Sequence, residues 1–226
     1  MKLTYYGHSC FGIETNGNHI LIDPYITDNE LAKHIEVDKV KCDYILLTHG
    51  HGDHISDVER ISKRANPELI CNFEVANWFK NKGMEKVTDM NPGGIEEFEF
   101  GKVKFVKAVH SSSMPDGSYG GVACGLLLFI EDKTIYVSGD TALHSDMKLI
   151  GDYNSPDISL LCIGNHFTMG YEDAVIASDL IKCDEIIGMH YDTFGPIEID
   201  KSKAIDAFRQ KGKNLTLMEI GSSLNF

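Results

Sequence analysis

Short runs in which apolar and polar residues alternate, broken by Gly, Asn and Asp, open the chain. Leu3 to His8, Phe11 to Thr15 and His19 to Asp23 keep the two-residue period of a half-buried strand, and Asn16-Gly17 supplies a hairpin turn. Asp43 to Thr48 is a compact apolar run that reads as a buried strand. Behind it, Ser56 and Glu59 have the spacing of a capping box and predict a helix to about Ala65. The signals then alternate: a strand at Glu68 to Asn72, a helix at Glu74 to Lys82, and a strand around Lys86 to Met90. Gly93-Gly94 marks a turn, and Glu96 to Phe100 and Val103 to Val109 read as strands joined through Gly101-Lys102. Val122 to Ile130 and Thr134 to Ser138 form a further hairpin. The apolar run Asp157 to Ile163, a helix over Glu172 to Lys182 and a strand at Glu185 to Met189 follow. A last helix is capped by Asp200 and stopped by Gly212, and a closing strand is predicted at Leu215 to Ile220. Strands and amphipathic helices alternate in both halves, which predicts an α/β protein.

Length and composition narrow this picture. The chain has 226 residues, 42% of them apolar, with no linker-like tract, charge block or useful repeat, so one domain over residues 1–226 is expected. It shows no export signal and no apolar run of bilayer length, which points to a soluble protein of the cytoplasm. The six cysteines are scattered, without a CxxC pair, and mostly sit in apolar contexts, so they read as reduced core residues. A net charge of −13 speaks against a nucleic-acid partner, whose phosphates need a basic surface. A small-molecule substrate is expected instead, and self-association into a homo-oligomer stays open.

The candidate chemistry is concentrated in Thr48 to His54, which reads Thr-His-Gly-His-Gly-Asp-His. His49, His51, Asp53 and His54 offer imidazole and carboxylate, the ligand set that suits zinc, manganese or iron. Gly50 and Gly52 are expected to let the backbone fold tightly enough to turn these side chains toward one point. Asp23 closes the third strand, His110 closes the strand before a Gly- and Ser-rich loop, Asp140 follows the strand ending at Ser138, and His190 follows the strand ending at Met189. Asp23 has a bland alternative as an ordinary turn residue before Pro24. His144 is read as an exposed histidine at a helix start and His166 as a solvated loop residue.

The loop Thr-His-x-His-x-Asp-His after an apolar strand, with those later residues in that order, resembles the metallo-β-lactamase superfamily. Gly7-His8-Ser9-Cys10-Phe11 and Gly188 to Phe194 resemble one branch of it, short metal-dependent hydrolases related to ascorbate-6-phosphate lactonase. The resemblance implies a four-layer αββα sandwich. It implies two divalent transition-metal ions, zinc first with manganese or iron as alternatives: His49, His51 and His110 would hold one, Asp53, His54 and His190 the other, and Asp140 would bridge. Asp23 would support the metal loop from behind. The branch carries an acidic residue where Asn165 stands, so no contact is assigned to Asn165. Two metals sharing a water lower its pKa toward about 7, which gives a metal-bound hydroxide at neutral pH. The implied activity is hydrolysis of a small ester, lactone or phosphodiester, with Asp53 orienting the nucleophile. His8 is expected to be a second catalytic residue, facing the substrate without binding metal. A mononuclear-iron oxidoreductase of the sulfur-dioxygenase kind and a non-catalytic metal-binding scaffold are the alternatives. Nuclease relatives carry an extra domain or arm for which this chain has no room.

Overall fold

The computed structural model describes residues 1–226. β1 (Lys2–Gly7), β2 (Cys10–Thr15) and β3 (Asn18–Ile22) make an antiparallel meander, and β4 (Tyr44–Leu46), β5 (Glu68–Asn72) and β6 (Val87–Met90) then lie parallel beside β3. The crossovers carry α1 (Gly52–Ile55) and α2 (Val58–Ala65) after β4, and α3 (Phe73–Asn81) after β5. The second half repeats the plan. β7 (Ile95–Phe98), β8 (Gly101–Lys107), β9 (Cys124–Ile130) and β10 (Lys133–Val137) are antiparallel. After α4 (Met147–Asn154) comes β11 (Ile158–Cys162), after α5 (Tyr171–Leu180) comes β12 (Glu185–Met189), and after α6 (Lys201–Arg209) comes β13 (Asn214–Thr216), all parallel to β10. Finally β14 (Ser223–Asn225) returns to the first sheet against β1. The sheets run β14-β1-β2-β3-β4-β5-β6 and β13-β12-β11-β10-β9-β8-β7.

The two-residue period decides which face each residue buries. In the first sheet Ile20, Ile22, Leu46 and Ile70 join the large core shared with the second sheet. Their neighbours Leu21, Ile45, Leu47, Leu69 and Cys71 pack outward beneath α2 and α3, against Val58, Ile61, Val75 and Phe79. Strands β9 and β11 are apolar almost throughout because both of their faces are covered. The result is the expected αββα sandwich, helices outside and two sheets within. All six cysteines are free and buried, and no helix is long and apolar enough to cross a membrane.

Several local expectations change. The capping box at Ser56 does not form: Ser56 ends α1, and the carboxylate of Asp57, the residue before α2, instead accepts from the backbone N–H groups of Ile26 and Thr27 at 2.7 and 2.9 Å. The predicted turn at Gly101-Lys102 is already strand β8, and the closing strand is only Asn214–Thr216. Beyond it the chain crosses to the other sheet, where Tyr5 N–H donates to the Ser222 carbonyl and Gly221 N–H to that of Tyr5. His144 is half-buried, with both ring nitrogens shielded and unpartnered, rather than exposed.

Candidate metal centre

The strand ends gather the candidate ligands at one edge of the sandwich. Beyond β4, Thr48 is locked to Asp23: its N–H donates to Asp23 Oδ1 at 2.8 Å and its hydroxyl to Oδ2 at 2.6 Å. The chain then winds into the single helical turn α1, closed by His54 N–H on the His51 carbonyl at 3.0 Å, so Asp53 and His54 lie on a helix start rather than on a loop. His54 Nδ1 reaches back to Asp23 Oδ2 at 2.8 Å, which leaves Nε2 facing inward. Asp23 therefore holds both the backbone of the metal loop and one of its imidazoles, an orienting contact of the kind metal sites use. The glycines act differently from expectation. Gly50 lies close under Met114, whose Sδ a Cβ there would meet at 2.5 Å and push aside, while Gly52 faces open space.

The second half delivers its residues one strand end at a time. Asp140 follows Gly139, whose φ of +58° and whose Cβ position 2.6 Å from the Cys124 carbonyl oxygen exclude other residues. Asp140 Oδ2 lies 3.0 Å from His190 Nε2, 3.3 Å from His54 Nε2, 3.6 Å from His110 Nε2 and 3.9 Å from His49 Nε2. His49, His51 and His110 converge as one cluster, and His8, Asp53, His54 and His190 as another, with His49, His54 and Asp140 between them. All seven expected ligand residues are thus brought together. The buried atoms His54 Nε2 and Asp140 Oδ1 have no hydrogen-bond partner, which is costly unless a cation takes their lone pairs. Imidazole and carboxylate suit a divalent transition metal, so the donor set fits the group.

A model of the beta-lactamase superfamily domain matches residues 2–190. The chain belongs to the metallo-β-lactamase superfamily. It is 52% identical to a metal-dependent hydrolase of Christiangramia forsetii over 225 residues, 99% of each chain. A metallo hydrolase from the hyperthermophilic archaeon Ignicoccus hospitalis superposes with a TM-score of 0.90 at 33% identity, covering 100% of this chain and 98% of that one. An isothiocyanate hydrolase from Delia radicum gut bacteria shares the fold, with a TM-score of 0.80 at 18% identity over 100% of this chain and 99% of that one. The protein takes its place among the metal-dependent hydrolases.

Within this superfamily member the electrostatics follow from crowding. Burial pushes the His49, His51 and His110 imidazoles below their ordinary range, so they stand neutral with lone pairs available. Burial also presses on His54, but Asp140 and Asp23 on either side outweigh it and raise its pKa. Asp140 is desolvated, yet His54 and His190 hold it well below the usual carboxylate range. His8 differs from expectation: its side chain is fully enclosed, its Nε2 lies 3.1 Å from Asp53 Oδ2, and burial takes its pKa to about 4. Its ring nitrogen lies within 4.8 Å of the ligand atoms of Asp53, His54 and His190. Sequence reasoning also missed Thr193, whose hydroxyl lies 2.9 Å from His8 Nδ1. The sole hint was its place three residues after His190. Neither Asn165 nor His166 falls in a ligand cluster; the His166 side chain is exposed.

Proposed function

We propose that the chain hydrolyses a small ester, lactone or phosphodiester at a two-metal centre. His49, His51 and His110 would hold one ion, Asp53, His54 and His190 the other, and Asp140 would bridge, with zinc the first choice and manganese or iron the alternatives. The observation that carries this reading is the single oxygen Asp140 Oδ2 set 3.0 to 3.9 Å from four imidazole nitrogens drawn from both clusters. Divalent ions there supply Lewis acidity toward the carbonyl or phosphoryl oxygen and lower the pKa of water.

The protein's own part is positioning. His49, His51 and His110, neutral because they are buried, present lone pairs in a fixed array. Asp53 keeps 28% of its side chain exposed, against 2% for Asp140, so it is the carboxylate that meets the cleft. It is ionised and acceptor-only, which suits it to orient an attacking water by accepting one of its protons in a hydrogen bond. No serine or cysteine nucleophile is required. The six free, buried cysteines support a reducing, cytoplasmic setting.

The test is to purify the protein without chelator, load it separately with zinc, manganese and iron, and assay chromogenic esters, lactones and phosphodiesters. Metal-dependent turnover of one class, abolished by Asp53→Asn, is the expected result. Metal uptake with no hydrolysis across the panel favours the scaffold reading.

A further inference from the structure

His8 faces the centre with a carboxylate already against its inward nitrogen. It sits on the β1–β2 turn with φ +55°, and its carbonyl accepts from Tyr5 Oη at 3.2 Å and from the His190 N–H at 2.9 Å, which pins the turn from both halves of the molecule. The ring is packed edge-on against Tyr25 and Phe194, with centroids 5.5 and 5.4 Å away, and tilted against His190 at 4.2 Å. Both nitrogens are used: Nδ1 faces Thr193 Oγ1 at 2.9 Å and Nε2 faces Asp53 Oδ2 at 3.1 Å.

The partner of Nδ1 decides what Nε2 can do, because a neutral imidazole has one N–H and one lone pair. His54 Nδ1 faces a carboxylate, which only accepts, so Nδ1 keeps its proton and the inward Nε2 is the nitrogen left for a cation to take. His8 Nδ1 faces a hydroxyl, which can donate. The contact of that hydroxyl with the Tyr191 carbonyl is longer, 3.4 Å. With Thr193 O–H given to Nδ1, the proton of His8 is on Nε2 and points at the Asp53 carboxylate. Both hydrogen bonds of the chain Thr193–His8–Asp53 then run in one direction and every donor meets an acceptor. The opposite tautomer would set a lone pair against a carboxylate oxygen.

We infer that Thr193 and His8 are positioning residues that fix the carboxylate of Asp53, His8 neither binding metal nor touching substrate. Asp53 needs this: it sits on a single helical turn with 28% of its side chain exposed, and its other contacts are imidazole nitrogens at 3.9 and 4.0 Å. Contacts that orient a ligand from behind are worth about 10-fold to 100-fold in metal affinity or activity.

The inference rests on the placement of Asp53 in the metal centre, and cobalt(II) titration of the full chain separates the two. Wild type, His8→Ala, His8→Gln, Thr193→Val and Thr193→Ser are compared by visible spectrum and by affinity for the second ion. His8→Ala is expected to keep two ions and the wild-type spectrum, since no ligand is lost, while its second ion binds about 10-fold to 100-fold more weakly. Gln at position 8, which can still donate to Asp53, restores most of the affinity. Thr193→Val weakens binding and Thr193→Ser does not. Saturation of His8→Ala at one ion, or a changed spectrum, makes His8 a ligand and overturns the inference alone. So does equal affinity in wild type, His8→Ala and Thr193→Val. A wild type that takes up no cobalt overturns the metal-centre reading and the inference with it.

Discussion

The two halves of the chain present their chemistry from equivalent places by different means. In each, two antiparallel pairings are followed by three parallel ones, so β1 to β6 correspond in order to β8 to β13. The first connection carries His8 in one half and His110 in the other. After the third strand come Asp23 and Asp140. After the fourth come the metal loop in the first half and Gly164 to Gly170 in the second; the fifth ends on Asn72 in the first half and is followed by His190 in the second. Position on the scaffold therefore does not decide the role. Asp23 spends both oxygens on Thr48 and on His54 Nδ1, whereas Asp140 leaves Oδ1 unpartnered and turns Oδ2 to four imidazoles. One carboxylate builds the loop and its counterpart is free to bridge. Likewise Asn72 donates to the carbonyls of Gly120 and Val122, holding the loop beyond His110, where its counterpart His190 points into the centre.

The sharpest way to break this comparison is to remove the bridging carboxylate. Asp140→Ala is expected to lose both ions, so that elemental analysis falls from about two per chain to well below one, while His190→Ala loses one. Equal single-site losses from both variants would mean that Asp140 does not bridge. Asp23→Ala comes next in size. It strands the Thr48 N–H, the Thr48 hydroxyl and His54 Nδ1 in a site from which water is excluded, at a cost of about 3–5 kcal/mol in chemical denaturation of the metal-free protein. A loss of metal at unchanged stability would put Asp23 among the ligands, on a par with Asp140.

The same contrast explains how much could be read from the sequence. Four candidate ligands within six residues form a local pattern whose chemistry needs no fold to be recognised. Asp23, His110, Asp140 and His190 are single residues at strand ends, each ordinary alone, and were assigned through the family resemblance. The His8 pairs lay out of reach, because they join positions 45 and 185 residues apart. The sandwich was legible because the two-residue period sorts Ile20 and Ile22 from Leu21. Helix α4 leaves a weak signal in the sequence: Gly151 in its interior lowers helix propensity, and only Met147, Ile150 and Gly151 itself are buried. The capping box at Ser56 failed because Asp57 is drawn to the backbone of Ile26 and Thr27, a contact across 30 and 31 positions that local spacing does not contain.

The smallest expected effect concerns the loop after β11, the counterpart of the metal loop. There the backbone does not wind into a helical turn. Asn165 and His166 are successive left-handed residues, at φ +62° and +59°, tied by Asn165 N–H to the Met169 carbonyl at 3.2 Å, and the tip carries Phe167 with 52% of its surface exposed. Side chains that α1 would turn inward are here turned out, and the left-handed conformation costs His166 about 1–2 kcal/mol. His166→Ala is therefore expected to keep both ions and to change stability by no more than about 0.5 kcal/mol, because it removes an exposed ring and leaves the strain in place. His166→Gly, which adopts positive φ without that penalty, is expected to gain up to about 1 kcal/mol in denaturant titration, again with full metal content. Loss of metal in either variant would make this loop a second metal loop. If His166→Gly is instead destabilised, the left-handed turn is held by contacts of the imidazole with its own loop, such as the edge-on packing against Phe167 at 4.5 Å.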